Sequence, residues 1–240
     1  MLLSVFLHSN TFGCAMDSII TSLLPFIIGG ALVPLQIIIV ILLLTSEKRG
    51  TLKAIAFVLG MTLARLAQGI LFGLVLTGGS GDPADAGGIA WVKSTALLLL
   101  GILLLSTAFK KWTKEPDPDA PPPKWMAMLD GITPARAFLF GAGFILIAAK
   151  LWVFTLGAIG VIGEAQMGQR ESVIAFLWYI LLAQSLLIIP ILIRLLLPGQ
   201  ADRLLGAFGD WLERYNRQIV IVVSLVFGLF FLYQGVRGFF

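Results

Sequence analysis

Six apolar stretches, each near the length of a membrane-crossing helix, succeed one another along the chain: Ile19–Leu44, Leu52–Leu76, Trp91–Phe109, Ala137–Val161, Val173–Leu197 and Ile219–Tyr233. A crossing takes about 20 apolar residues. In hydrocarbon every backbone N–H and C=O must find its partner within the protein, so this pattern folds as helices. Apolar residues make up 58% of the chain and charged ones only 12%, against about 25% charged in soluble domains. The sequence predicts an all-α integral membrane protein of six transmembrane helices, with no stretch long enough for a separate soluble domain.

Lysines and arginines set the orientation. The loops after spans one, three and five, with their flanks, hold Lys48, Arg49, Lys53, Lys110, Lys111, Lys114, Lys124, Arg136, Arg194, Arg203, Arg214 and Arg217. The opposite side holds only Lys93, Arg170 and Arg237. The positive-inside rule then puts both termini outside and the 110–136 loop in the cytoplasm. A net charge of +4 is explained by these flanking cations and anionic headgroups, so nucleic acid is not an expected partner. The expected place is the plasma (inner) membrane of a bacterium, as a multi-pass protein.

Two cations remain, and both lie in the middle of apolar spans. Arg65 falls in span two, whose only other charge is Lys53 at its edge, and Lys150 falls in span four. A charge at the bilayer centre costs roughly 3 kcal/mol by insertion scales. Every Asp and Glu falls in a loop or near a terminus, so the spans offer no anion at that depth. Either a substrate supplies the anion, or Arg65 ties together carbonyls freed near Pro34 or Pro190, and Lys150 sheds its proton on burial. Gln36, Gln68, Gln184 and Ser185 are polar at similar depth, as substrate ligands or as interhelical glue. Pro34 and Trp152 complete the candidate substrate-binding set.

The chain also reads as two related halves. Ile55-Ala56-Phe57 in span two recurs as Ile174-Ala175-Phe176 in span five, and at the same offset Ala64-Arg65 meets Ala183-Gln184. Gly101 to Lys110 spaces identically with Gly228 to Arg237. Three spans per half force opposite orientations, so the expected fold is two inverted three-helix repeats, residues 16–109 and 135–240. Such repeats build transporters with a midplane site between broken helices. The broken helices would be the first, with Pro25, Gly29, Gly30 and Pro34, and the fourth, preceded by Pro134 and holding Gly141 and Gly143. Residues 110–134 form a cytoplasmic linker, marked by Pro116, Pro118 and Pro121–Pro123. Residues 1–15 stand apart as an N-terminal extension, with Met16 an alternative start. Asp130 and Arg136, before span four, are candidates for gating or coupling; capping the following turn, or pairing with each other, is the structural alternative.

The break around Val33-Pro34-Leu35, the basic turn Glu47-Lys48-Arg49-Gly50 and the Lys110-Lys111-Trp112 exit from span three form one half of a resemblance. Trp125-Met126, Asp130 and Thr133-Pro134-Ala135-Arg136-Ala137 form the other. In order and spacing these resemble the glycolipid-addressing (sulfolipid-addressing) family of the lysine-exporter superfamily, over Met16 to the C-terminus. That family carries an Asn-Pro-Lys in span four. Here the corresponding residues are Ala148-Ala149-Lys150, so the lysine is kept and the helix-breaking pair is absent. The resemblance implies the movement of lipids or lipid-linked glycans across the plasma membrane, with a dimer common in the superfamily.

Three functions follow as expectations. The first is an exporter or flippase for an anionic lipid, glycolipid or lipid-linked precursor. The second is a secondary exporter of a small solute such as an amino acid. The third is an accessory membrane subunit of a lipid or glycan export or synthesis complex. Catalysis is not expected, because the spans lack carboxylate pairs and no His-Glu-x-x-His is present. A single Cys14 and a single His8 leave no expected metal site or cofactor.

Overall fold

The computed structural model describes the backbone of residues 19–46, 48–77, 83–113, 129 and 131–238, with side chains throughout except at 74–77, 83–93, 96, 149 and 150. Among the described residues all regular structure is helical. We number the helices α1 (Ile19–Ala31), α2 (Pro34–Thr45), α3 (Gly50–Thr77), α4 (Pro83–Thr113), α5 (Pro134–Ile147), α6 (Ala149–Glu164), α7 (Gln169–Ala183), α8 (Ser185–Leu196) and α9 (Pro198–Arg237). Among the described residues two helices, α3 over Gly50–Gly73 and α9, are each long and apolar enough to cross a membrane. The count rises to as many as five crossings if each bent pair of helices is one span.

Three helix pairs are bent. α1 and α2 meet at 57°, α5 and α6 at 72°, and α7 and α8 at 61°. The first bend is dictated by Pro34, which forces the preceding residue out of the helical region; Val33 is extended, with φ −110° and ψ 94°. The second has no proline. Ala148 leaves the helix at φ −78° and ψ 82°, and the Trp152 indole N–H donates to the carbonyls of Ile145 at 3.0 Å and Leu146 at 3.1 Å. That donor satisfies carbonyls at the end of α5 that would otherwise be orphaned. The third bend, at Gln184 (φ −103°, ψ 2°), was not foreseen from the sequence. Pro190, by contrast, sits within α8 without ending it.

The last span also starts earlier than its hydropathy suggests. α9 begins at Pro198, in the first turn where a missing N–H costs nothing, and runs for 40 residues, where the sequence placed a loop before Ile219. Ala201, Leu205 and Leu212 fall on one face of this charged stretch and are buried. They share a core with Ile41 and Leu44 of α2, which is why a segment dense in charge is helical.

Close helix contacts rest on glycines. In α3 and α5 the pairs Phe57/Gly60 and Phe138/Gly141 interlock: a methyl on Gly60 would lie 2.0 Å from the Phe138 carbonyl oxygen, and one on Gly141 2.1 Å from that of Phe57. α1 and α6 repeat the device with rings, Phe154 lying over Gly29 and Phe26 over Gly157. Small residues let membrane helices approach to backbone distance.

Buried side chains divide into two cores. One gathers α2, the first half of α3, α5, α8 and the start of α9. The other gathers α1, α4, α6, α7 and the end of α9. Each bent pair gives one helix mainly to each core. The chain ends of α2 and α8 and the beginnings of α3, α5 and α9 belong to the same core.

Candidate functional site

The boundary between the cores is polar. In α3 it falls between Ala64, in the first core, and Leu66, beside the second. Arg65 occupies the boundary itself and is 1% exposed. Gln36 lies one turn beyond the Val33 break, Gln68 one turn beyond Arg65, and Gln184 is the hinge between α7 and α8; all three are buried. Tyr179, five residues before Gln184, is fully buried. Its hydroxyl lies near the Arg65 guanidinium, and Thr155 of α6 lies beside the same hydroxyl. Gly30, at the end of α1, packs against the same hydroxyl. The breaks at Val33 and Gln184 and the continuous α3 thus carry buried polar residues in a seam at the boundary between the cores, where Arg65, Tyr179 and Thr155 meet and Thr62 reaches Gln184.

Much of this seam is unpartnered. Arg65 Nε and Nη1, both amide atoms of Gln36 and of Gln68, Tyr179 Oη and Gln184 Nε2 are buried with no hydrogen-bond partner among the described residues. Thr62 Oγ1 donates either to the Val58 carbonyl at 2.8 Å or to Gln184 Oε1 at 3.0 Å. Turning the Gln184 amide over would let Nε2 donate to Thr62 and leave Oε1 free instead, so one end stays unpaired either way. A buried polar group without a partner costs about 1–3 kcal/mol. Several such groups at the boundary of two cores call for an explanation, and a ligand that completes them is one. The groups are a guanidinium, three amides and a phenol with no carboxylate among the seam residues. Such a set donates to an oxyanion, and Arg supplies the charge that a buried anion needs.

The sequence candidates separate on this geometry. Arg65, Gln36, Gln68 and Gln184 lie on the seam, and Pro34 is buried at the start of α2, where it builds the break beside Gln36. Arg65 Nε and Nη1 do not reach the freed carbonyls near Pro34 or Pro190. Ser185 begins α8 and is half-buried. Trp152 is tied to the α5 carbonyls and meets Phe72 edge-on at 5.7 Å. Lys150 lies in the first turn of α6, just past the Ala148 break; its side chain, and the cavity expected to join it to Arg65, lie outside the described residues. Asp130 lies outside them too. Arg136 is exposed, and its backbone N–H donates to the N-cap Thr133 Oγ1 at 3.3 Å. Tyr179, Thr62 and Thr155 were missed. A tyrosine deep in an apolar run, five residues before Gln184, is the signal that marks the first of them.

The family model described as Sap, sulfolipid-1-addressing protein, matches residues 23–237, which hold all three breaks and the whole seam. The chain belongs to this family. No curated protein and no solved structure matches it. Membership in the Sap family and the apolar helices together make this a membrane protein. The resemblance drawn from the basic turn and the approach to α5 is thereby borne out. Where the resemblance implies an Asn-Pro pair, the chain has Ala148-Ala149 and still bends at Ala148, with Trp152 holding the carbonyls that the bend frees.

Proposed function

We propose that the protein moves an anionic amphiphile, a phospho-, sulfo- or glycolipid or its lipid-linked precursor, across the bacterial plasma membrane. The seam around Arg65 is the transit site for its charged headgroup. One observation carries this reading: a fully buried guanidinium has two nitrogens without a hydrogen-bond partner, and further unpaired amides are buried one turn along its own helix, at Gln68, and at the Gln184 hinge. A structural tie would have been satisfied by its neighbours. The family name, which refers to addressing a sulfolipid, agrees with an anionic lipid as cargo. On this reading the molecule crosses six times, with both termini outside and the basic loops in the cytoplasm. Residues 16–109 and 135–240 are inverted repeats, and Lys150 adds a second cation near the α5–α6 break. A homodimer fits the superfamily resemblance.

The test is Arg65→Gln, with lipid appearing on the far leaflet measured per folded, inserted protein. Loss of one charge-assisted contact of ~2–3 kcal/mol lowers the rate by about 30-fold or more. Thermal stability should hold or rise, since removing an uncompensated buried charge relieves its burial cost. A variant that unfolds while its remaining folded fraction transports normally would make Arg65 a structural tie and end the proposal.

A further inference from the structure

The second core contains a cavity of about 460 Å³ that does not include the seam. It lies among the start of α1, the end of α6, α4 and the end of α9, with Thr21, Ser22, Glu164 and Gln234 among its polar walls. Its apolar wall includes Phe26, Phe230 and Phe231. The seam lies deeper along the same helices. From Glu164 back to Thr155 is nine residues, roughly 13 Å of helix, and on α1 Gly30 follows Phe26 by one turn.

Between cavity and seam stand packed rings. Phe26 and Phe231 stack at 5.6 Å, and Phe231 meets Phe154 at 6.0 Å. Phe227 closes against Phe154 edge-on at 5.7 Å. Phe154 in turn lies over Gly29, beside Gly30 and so beside the Tyr179 hydroxyl. Phe231 is 0% exposed, Phe154 4% and Phe26 5%. The rings thus separate a space with polar walls from buried groups that lack partners.

We propose that Phe26, Phe154 and Phe231 form a closed aromatic gate between a vestibule on one membrane face and the seam. By the charge count that face is the outer one. The glycines beneath two of the rings give the gate its form: Phe26 rests in the notch of Gly157 and Phe154 in that of Gly29, so each ring is held by the opposing helix. Sliding α1 against α6 would release both rings together. α1 and α6 each adjoin a break, at Val33 and at Ala148, where such a movement can be absorbed. The inference rests on the reading of the seam as a transit site, and its test measures access rather than transport, so each can fail alone.

The experiment places a reporter cysteine at Thr155→Cys in a Cys14→Ser background and adds a membrane-impermeant thiol reagent from the vestibule side. Ser22→Cys, in the vestibule wall, is the positive control, and Val58→Cys, buried in the first core, the negative one. With the gate intact, position 155 labels slowly and position 22 rapidly. Phe154→Ala, or Phe26→Ala, should raise labelling at 155 by about tenfold or more, as expected when a local opening equilibrium shifts by ~1.4 kcal/mol, and leave Val58→Cys silent. If Val58→Cys also becomes reactive, the alanine has loosened the protein generally, and Phe154→Leu, which keeps more of the packing, decides instead. Unchanged labelling at 155 in a variant that stays packed overturns the gate, even if Arg65→Gln has abolished transport. Rapid labelling at 155 with all three rings in place overturns it as well.

Discussion

At Ala148 a helix breaks with neither proline nor glycine at the bend. The residue that makes this affordable to the backbone is Trp152, whose indole N–H serves two carbonyls of the preceding helix. Trp152→Phe keeps a ring against Phe72 but removes the donor. The freed carbonyls of Ile145 and Leu146 then have to find other partners or go without, at about 1–3 kcal/mol. Thermal unfolding in nanodiscs should show a lowered midpoint for this variant, and an unchanged midpoint would mean that the carbonyls are satisfied in another way. Residues of this kind are hard to read in a sequence. Arg65 and the three glutamines stood out because a charge or an amide in an apolar run is conspicuous. Tyr179 did not, because a phenol is half apolar and blends into the span, and the carbonyls that the Trp152 indole serves cannot be read from the sequence. Lys53 shows the same limit: read as an edge cation, it is 7% exposed and donates to Ser46 Oγ at 3.1 Å, at the end of α2.

At the scale of helices, breaks were legible where the backbone chemistry announces them. Pro34 and the glycines before it marked the first bend. The bend at Gln184 was hidden, since Pro190 lies six residues past it and the conformation at Gln184 accompanies a tertiary contact with Thr62. The start of α9 was hidden for the opposite reason: Asp202, Arg203, Asp210 and Glu213 resemble a loop until the buried face of Ala201, Leu205 and Leu212 is seen. Phe-x-x-Gly stands in the sequence five times, and the pairs at 26–29, 57–60, 138–141 and 154–157 interlock while Gly143, after Phe140, meets nothing within 4 Å, so only the contacts give the pattern meaning. Gly60→Ala should be costly, because the new methyl meets the Phe138 backbone and no rotamer change relieves it; overpacking of this kind costs about 1–3 kcal/mol. Gly160→Ala, which meets nothing within 4 Å, should be neutral or stabilising by up to ~1 kcal/mol through helix propensity. Chemical unfolding of the two variants side by side checks this, and equal stability would mean that the α3–α5 contact is loose enough to part.

For the whole molecule, the division into two cores was not legible, because periodicity tells which face of a helix is buried but not against which neighbours. Under the inverted-repeat reading, Arg65 and Gln184 occupy matching places in the two halves, and both lie on the seam, linked through Thr62 one turn before Arg65. α4 and α9 cross antiparallel with Gly101 facing Gly228, and each glycine also abuts the leucine four residues past the other, Leu232 and Leu105. Any antiparallel helix pair makes reciprocal contacts of this form about its crossing point, so they agree with a two-fold axis in the membrane plane without requiring one. At these two positions the helices differ, since α3 runs unbroken through Arg65 while α7 and α8 meet at 61° at Gln184. If the axis passes between these two positions, a guanidinium moved from one to the other stays in the same seam. Arg65→Gln combined with Gln184→Arg should therefore regain about a tenth or more of the original transport rate, within ~1.4 kcal/mol of the native barrier. Gln184→Arg alone should transport less well than the native protein, because two cations then repel across a low dielectric. Transport is compared per inserted, folded protein. A double variant that inserts normally but performs no better than Arg65→Gln would place the two positions at separate sites, and the repeat would then describe the packing of the helices but not the path of the cargo.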